Sequence, residues 1–255
     1  MPFHSERSHR KSRTTNRRSR RAISRFKRLH FQAPLTQSSK VRRMKLYSVP
    51  ISPFAARVRL SIYRKGLNIE IVPPPEGGIK SDAYLAVNPM GQVPTLLLDS
   101  GFALPESATI LEYLEDVFPT PSLRPTDVED LARVRLFLRL PDFHIRPSIF
   151  ALRGMRDPAN RNEDVVKTQF EILDQGLSYI DHYLSDDVWA VGDRPSTADC
   201  ALVPILNIVS LMLSVYDHSD LISKYQKLNA YWQAAKTDEI NAKVIAEQLA
   251  AIPKA

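Results

Sequence analysis

Between Met44 and Phe118 the chain carries three short signatures in a fixed order: Ser52-Pro53-Phe54, Gln92-Val93-Pro94 and Pro105-Glu106-Ser107. Lys45-Leu46-Tyr47-Ser48, just before the first, reads as a strand. Ser52 is a good N-cap, and Pro53 suits the first helical position, where its missing N–H has no bond to lose. The predicted helix runs through Arg57-Val58-Arg59-Leu60 and stops near Gly66, a residue able to take the left-handed conformation that ends helices. Ile69-Glu70-Ile71-Val72 reads as a second strand. Pro73-Pro74-Pro75 breaks it, and Gly77-Gly78 predicts a flexible loop. Val93-Pro94-Thr95-Leu96-Leu97-Leu98 reads as a third strand, Asp99-Ser100-Gly101 as a turn and Phe102-Ala103-Leu104 as a short fourth strand. Ile110, Leu111, Leu114, Val117 and Phe118 then share one helical face, ended by Phe118-Pro119. The predicted order is βαβ, a loop, then ββα.

Outward from this stretch the character of the chain changes. Residues 119–126, with three prolines, read as a linker. From Asp127 onward the pattern is helical, interrupted at Pro141 and Pro147. Phe170, Leu173, Leu177, Ile180 and Leu184 alternate spacings of three and four, the mark of an amphipathic helix. The segment from Ala198 to Val215 is apolar nearly all round, so that helix is predicted to be buried, with a kink at Pro204. Ser196-x-x-Asp199 before it is a capping box. No internal repeat is visible.

Composition bounds the function. Hydrophobic residues make up 44% of 255, enough for a substantial core, and no uninterrupted run of 18 apolar residues marks a membrane span. The single cysteine, Cys200, excludes an intrachain disulfide framework and fits a reducing compartment. The net charge of +7 is unevenly placed: of 35 Lys and Arg and 28 acids, residues 1–43 hold 14 and one (Glu6), leaving 21 and 27 for the rest. The body is therefore mildly acidic and has no nucleic-acid footprint. Residues 1–43 admit three readings. They are a disordered basic extension ahead of a start at Met44, an Arg- and Ser-rich organelle transit peptide, or an arm for nucleic acid or an anionic membrane. The first is favoured because Met44 falls directly before the first strand. Like charges and little apolar surface predict no fold there.

The three signatures place polar or backbone groups at the ends of regular elements, where a small anionic peptide can be held. In sequence and spacing the chain from Met44 to about residue 240 resembles the soluble glutathione transferases. The match is carried by Ser52-Pro53-Phe54 before Arg57-Val58-Arg59, by Asn88-Pro89-Met90-Gly91-Gln92-Val93-Pro94, by Glu106-Ser107 before Ile110-Leu111-Glu112-Tyr113-Leu114, and by Ser196-Thr197-Ala198-Asp199. The pattern is most similar to the serine-using zeta and tau classes. The zeta Ser-Ser-Cys run is absent, since Pro53 and Phe54 replace its second and third members. The resemblance implies an α/β thioredoxin-like, glutathione-binding N-terminal domain over 44–120 and an all-α C-terminal helical domain over 127–255.

By resemblance Ser52 is the catalytic residue that holds the glutathione sulfur as thiolate; a bare N-cap is the competing reading. A thiol of pKa about 8.5 is only a few per cent ionised at neutral pH, so complete ionisation raises the thiolate population about thirty-fold. Anything beyond that comes from positioning the electrophile. Tyr47 and Ser48 are nearby alternatives, with Tyr47 expected to face the core. The resemblance makes Pro94 a cis proline that presents the Val93 main chain to the peptide like an added strand. It takes Gln92 to the glycyl carboxylate, with Lys80 assisting, Ser107 to the γ-glutamyl carboxylate and Glu106 to the γ-glutamyl amine. His144 and Arg146 fall where the first helix of the C-terminal domain borders the electrophile pocket in that family, and Phe54, Phe143 and Phe150 either line that pocket or belong to the core. Ser196, Asp199 and Cys200 are read as structural, and His182 and His218 have no evident partner. No cluster has metal-ligand spacing and no Gly-rich phosphate loop occurs.

The function expected is glutathione S-transferase activity on a small-molecule electrophile, with glutathione as co-substrate, in a cytoplasmic homodimer with no nucleic-acid or membrane partner. The alternatives are glutathione-dependent cis–trans isomerisation, ether or halide cleavage, and a non-catalytic binding module on the same fold.

Overall fold

A computed structural model describes residues 44–252; the three readings of residues 1–43 concern a segment outside them. The first domain is a four-stranded sheet of order β2-β1-β3-β4. Its strands are β1 (Lys45–Tyr47), β2 (Glu70–Val72), β3 (Thr95–Leu97) and β4 (Ala103–Pro105). β1 runs parallel to β2 and antiparallel to β3, with Leu46 opposite Ile71 on one side and Leu96 on the other; β3 and β4 are antiparallel. The helices α1 (Pro53–Arg64) and α3 (Ser107–Val117) supply the remaining layer. Met44, Leu46, Val58, Ile62, Ile69, Leu96, Ile110 and Leu114 close a core between sheet and helices. This is the expected thioredoxin-like arrangement, with each strand shorter than its apolar run.

Two expectations are corrected. The segment after Pro73-Pro74-Pro75 is built rather than loose. It forms a 3₁₀ turn (Gly78–Lys80) and then a short helix α2 (Asp82–Leu85), capped by the Ser81 hydroxyl, which accepts the Tyr84 N–H. Periodicity missed α2 because four residues make barely one turn. Tyr47 does not enter the core. Strand alternation gives the core to Leu46, and Tyr47, half-buried on the opposite face, meets the Tyr84 ring edge-on at 5.6 Å.

The second domain is all-helical. Its helices are α4 (Val128–Leu140), α5 (Arg146–Gly154), α6 (Glu163–Tyr183), α7 (Thr197–Val215), α8 (Gln226–Ala235) and α9 (Glu239–Ala250). Pro141 ends α4 in a π-turn (Pro141–Ile145), and Pro147 lies in the first turn of α5, where proline is tolerated. The helix α7 runs through Pro204 and is buried along most of its length. Among the described residues it alone is long and apolar enough to cross a membrane, a test that a core helix also passes. Here Val203, Leu206 and Val209 lie in the core of the fold. The sequence reading found no such span because Asp199 and Asn207 interrupt the apolar run.

The capping box forms as predicted. The Ser196 hydroxyl accepts the Ala198 N–H, and Asp199 accepts the Ser196 N–H at 2.8 Å. Asp199 also accepts from the Ala190 N–H and the Tyr231 hydroxyl. Burial nevertheless holds its carboxyl above the usual range, against the lowering effect of these bonds. Cys200, one residue inside the box, is fully buried, and burial pushes its thiol up to about 12. At pH 8 such a thiol is about one part in ten thousand thiolate. The folded protein is therefore expected to resist a thiol-specific chromogenic reagent at pH 8 and to release one equivalent on denaturation; rapid labelling of the native protein would contradict the burial.

The two domains share α1. Val58 and Ile62 face the sheet, while Ala56 and Leu60 join the helical core. A helix that is buried on two sides is fixed in direction, and α1 is the helix that Ser52 caps.

Candidate active site

Ser52 caps α1. Its backbone is extended, its carbonyl accepts the Ala56 N–H at 2.9 Å, and its hydroxyl accepts the Ala55 N–H at 3.3 Å. A hydroxyl has one proton and two lone pairs. The cap occupies an acceptor site and leaves the O–H available to donate. Ser52 is half-buried at the positive end of the helix dipole, where a thiolate is favoured by the same field that favours other anions. Cap and thiolate donor are thus compatible roles for one side chain. Ser48, the nearby alternative, is buried, accepts from Arg59 at 2.7 Å and lies four residues before the Ser52 cap, so it does not sit at the α1 N-terminus.

The second signature forms a tightly held corner. Val93–Pro94 is cis. The Gln92 carbonyl accepts from the Tyr84 hydroxyl at 2.7 Å and from the Asn88 amide at 3.0 Å, and both donors also meet the Thr95 hydroxyl. This buried polar group orients the main chain at Gln92 and leaves the Gln92 side chain exposed. Among the described residues nothing pairs with the Val93 main chain, so both its groups can accept an added strand. Gly91 (φ +56°) is required here, because a Cβ would lie 2.8 Å from the Ile79 carbonyl oxygen and 2.9 Å from the Lys80 ammonium. That closeness puts Lys80 beside Gln92. It is exposed and, among the described residues, without an ion-pair partner.

Glu106 caps α3 with φ 68° and ψ 108°, a conformation rarely taken by residues other than glycine. It is exposed, and the strained backbone sits beside Ser107, the first residue of α3. Ser107 is buried, and its hydroxyl accepts from the Arg57 guanidinium at 3.1 Å. Arg57 is 1% exposed and also makes a fork on Asp142 of the π-turn, at 2.8 and 3.3 Å. Sequence reasoning passed over Arg57 and Asp142. They are 85 residues apart, and one guanidinium joins α1, the start of α3 and the helical domain. As with Ser52, the accepted bond at Ser107 leaves its O–H free for a ligand.

The candidate electrophile side separates into two groups. The Arg146 guanidinium stacks over the Phe54 ring at 5.8 Å and the Phe150 ring at 5.2 Å, while Arg57 covers Phe54 at 5.3 Å. Phe54 and Arg146 are therefore brought together, two residues from Ser52. His144 instead packs its ring edge-on against Tyr179 of α6 at 5.2 Å. Both His144 and Arg146 lie beyond the end of α4, on the π-turn and the first turn of α5. Phe143 and Phe150 are 65% and 50% exposed and do not belong to the core. His218, read as unpartnered, stacks on Phe170 with centroids 4.2 Å apart, and His182 meets Tyr183 edge-on.

A thioredoxin-like domain with a capped serine, a cis-proline corner and a serine-led helix start, docked on a helical domain, defines a glutathione-dependent class of enzyme. Comparison with known proteins agrees. Residues 46–122 match the glutathione S-transferase N-terminal domain, and residues 142–237 match the C-terminal domain. The maleylacetoacetate isomerase of Pseudomonas aeruginosa is 37% identical over 169 residues, covering 64% of this chain and 80% of that protein. A probable glutathione S-transferase of Zea mays is 45% identical over 134 residues, 49% of this chain and 57% of that one. The fold superposes on a glutathione S-transferase of Methylobacillus flagellatus, solved with glutathione bound, with a TM-score of 0.67 at 26% identity, covering 79% of this chain and 98% of the other. The chain belongs to the glutathione S-transferase family. It is an enzyme of that family, and glutathione is its co-substrate.

Proposed function

We propose that this protein is a serine-type glutathione transferase in which the Ser52 hydroxyl donates a hydrogen bond to the glutathione sulfur and stabilises the thiolate for attack on an electrophilic, partly apolar small molecule. The observation that carries the reading is the Ser52 hydroxyl itself. Its cap bond with the Ala55 N–H pins the oxygen at the α1 N-terminus and leaves the O–H to donate a hydrogen bond. Glutathione lies across the domain edge: its cysteinyl backbone pairs with Val93, its glycyl carboxylate reaches Gln92 and Lys80, its γ-glutamyl carboxylate meets Ser107 and its γ-glutamyl amine Glu106. The electrophile rests against Phe54 and Arg146, with His144 at the far side.

Ser107→Ala is expected to weaken glutathione binding about tenfold or more, since a hydrogen bond to a charged group is worth about 1.5–3 kcal/mol, with a smaller effect on turnover at saturation. Calorimetric titration with glutathione checks this; unchanged affinity would remove Ser107 from the site.

Cis–trans isomerisation is the second reading, favoured by the identity with proteins named maleylacetoacetate isomerase. There the sulfur adds to a conjugated alkene, the bond rotates and glutathione leaves intact. Product analysis by mass spectrometry separates the two. Conjugation consumes glutathione in step with the electrophile, and isomerisation consumes none. Ether or halide cleavage would release the leaving group while consuming glutathione. A cytoplasmic, detoxifying homodimer is the setting we infer. Sedimentation velocity tests the homodimer.

A further inference from the structure

The turn that carries Ser52 is held from behind by Arg59, two turns further along α1. Arg59 is 3% exposed. Its guanidinium donates to the Ser48 hydroxyl at 2.7 Å, the Val49 carbonyl at 3.4 Å and the Pro50 carbonyl at 2.8 Å. Three consecutive residues between β1 and Ser52 thus converge on one planar fork. The Val49 carbonyl also accepts the Ser52 N–H at 3.0 Å, so Arg59 touches the very acceptor that sets the Ser52 backbone. The remaining edge of the guanidinium is taken by Glu247, through Nε at 2.9 Å. Glu247 lies on α9, 188 residues away, and its second oxygen accepts from the Tyr63 hydroxyl at 2.8 Å. A buried guanidinium needs a counter-charge. Glu247 supplies it.

We propose that Arg59 is a positioning residue for Ser52 and that Glu247, by holding Arg59, makes α9 part of the catalytic assembly although none of the glutathione- or electrophile-binding residues named above lies on it. This deepens the proposed function and rests on Ser52 acting on the sulfur. The glutathione-binding corner is carried on other elements, at Gln92, Val93 and Ser107, so loosening the Ser52 turn should separate turnover from binding. A lysine at position 59 could not replace the fork, because an ammonium lacks the planar set of donors that meets several carbonyls and a carboxylate at once.

The test compares Glu247→Gln with Asp238→Asn. Asp238 is also on the α9 side and pairs with Arg64 of α1 at 2.7 Å, but it does not touch the Ser52 turn. Asparagine keeps its capping role, since both residues are good N-caps. For Glu247→Gln, kcat is expected to fall about five- to tenfold with the glutathione KM within about twofold, and the midpoint of the pH–rate profile to move up by about half to one unit. Amide exchange at Ser52 and Ala55 should quicken. Asp238→Asn should leave all four unchanged. Equal effects from the two variants would reduce Arg59 and Glu247 to general docking of the last helix, and wild-type behaviour of Glu247→Gln would remove the role outright. The exchange readout decides the placement even if Ser52→Ala retains full activity, the result that would instead overturn the proposed function. Should Glu247→Gln not fold, Arg59→Lys carries the same four readouts.

Discussion

Ser52→Ala is expected to lower turnover with glutathione at neutral pH by about ten- to thirtyfold while leaving glutathione affinity within a few-fold, because a hydrogen bond to a charged acceptor is worth about 1.5–3 kcal/mol and ionisation alone can supply no more than about thirty-fold. The affinity is spared because Gln92, the Val93 main chain, Glu106 and Ser107 belong to other elements. The sign of the pH effect follows from the same bond. A donor to the thiolate lowers the thiol pKa, so its loss moves the pKa back toward about 8.5 and the rate profile shifts to higher pH. At alkaline pH, where the thiol ionises unaided, variant and wild type should converge. The variant also loses a helix cap, at a cost of about 1 kcal/mol. Thermal melting therefore has to accompany the kinetics, and Ser52→Gly, which costs a cap only a few tenths of a kcal/mol, should show the same kinetic loss with less destabilisation. Rates within twofold of wild type across the pH range would make Ser52 a cap and nothing more.

The largest effect on stability is expected at Lys65 and Glu115. The pair is almost wholly removed from solvent, with side chains 0% and 2% exposed and a 2.7 Å contact. Lys65 ends α1 and also donates to the Pro121 carbonyl; Glu115, on α3, also accepts the Leu123 N–H at 3.1 Å. The two side chains thus tie the first domain to the connecting segment that leads into the helices. Glu115→Leu leaves an ammonium buried without its partner and is expected to cost about 3–5 kcal/mol. Lys65→Met combined with Glu115→Leu should recover much of that loss, since replacing both members of a buried pair by apolar residues is often neutral. Urea unfolding of the two single variants and the double variant measures the coupling. Additive losses would mean that the attraction between the two charges is not what the site depends on, and that Glu115 acts mainly through the Leu123 N–H.

Local signals were read from the chain with little error. The Ser52 cap, the Gly66 stop, the Ser196-x-x-Asp199 box and the buried helix to Val215 all depend on residues within a turn or two of one another. The chain could not reveal Tyr84, whose hydroxyl orients Gln92 from a one-turn helix too short to show a period. Arg57 and Arg59 lay inside the quoted motif, yet nothing in the spacing of the α1 arginines hinted that they were buried. Their partners, Asp142 and Glu247, lie 85 and 188 residues away, and nothing in their spacing marked them. His144 and Arg146, read together, part company because the π-turn after Pro141 sends one ring to Tyr179 and the other side chain to Phe54 and Phe150.

The order of the four strands and of the two helices packed on them, the Ser52 cap, the Ser196-x-x-Asp199 box and the family were legible in the sequence alone, because capping and periodicity act over a few residues and survive in one dimension. Which charged groups are sealed inside, and which of them hold the Ser52 turn in place, was decided only when α1 was buried on two sides. Burial removes water as a hydrogen-bond partner, and each guanidinium must then find its acceptors on whatever elements the docking brings near.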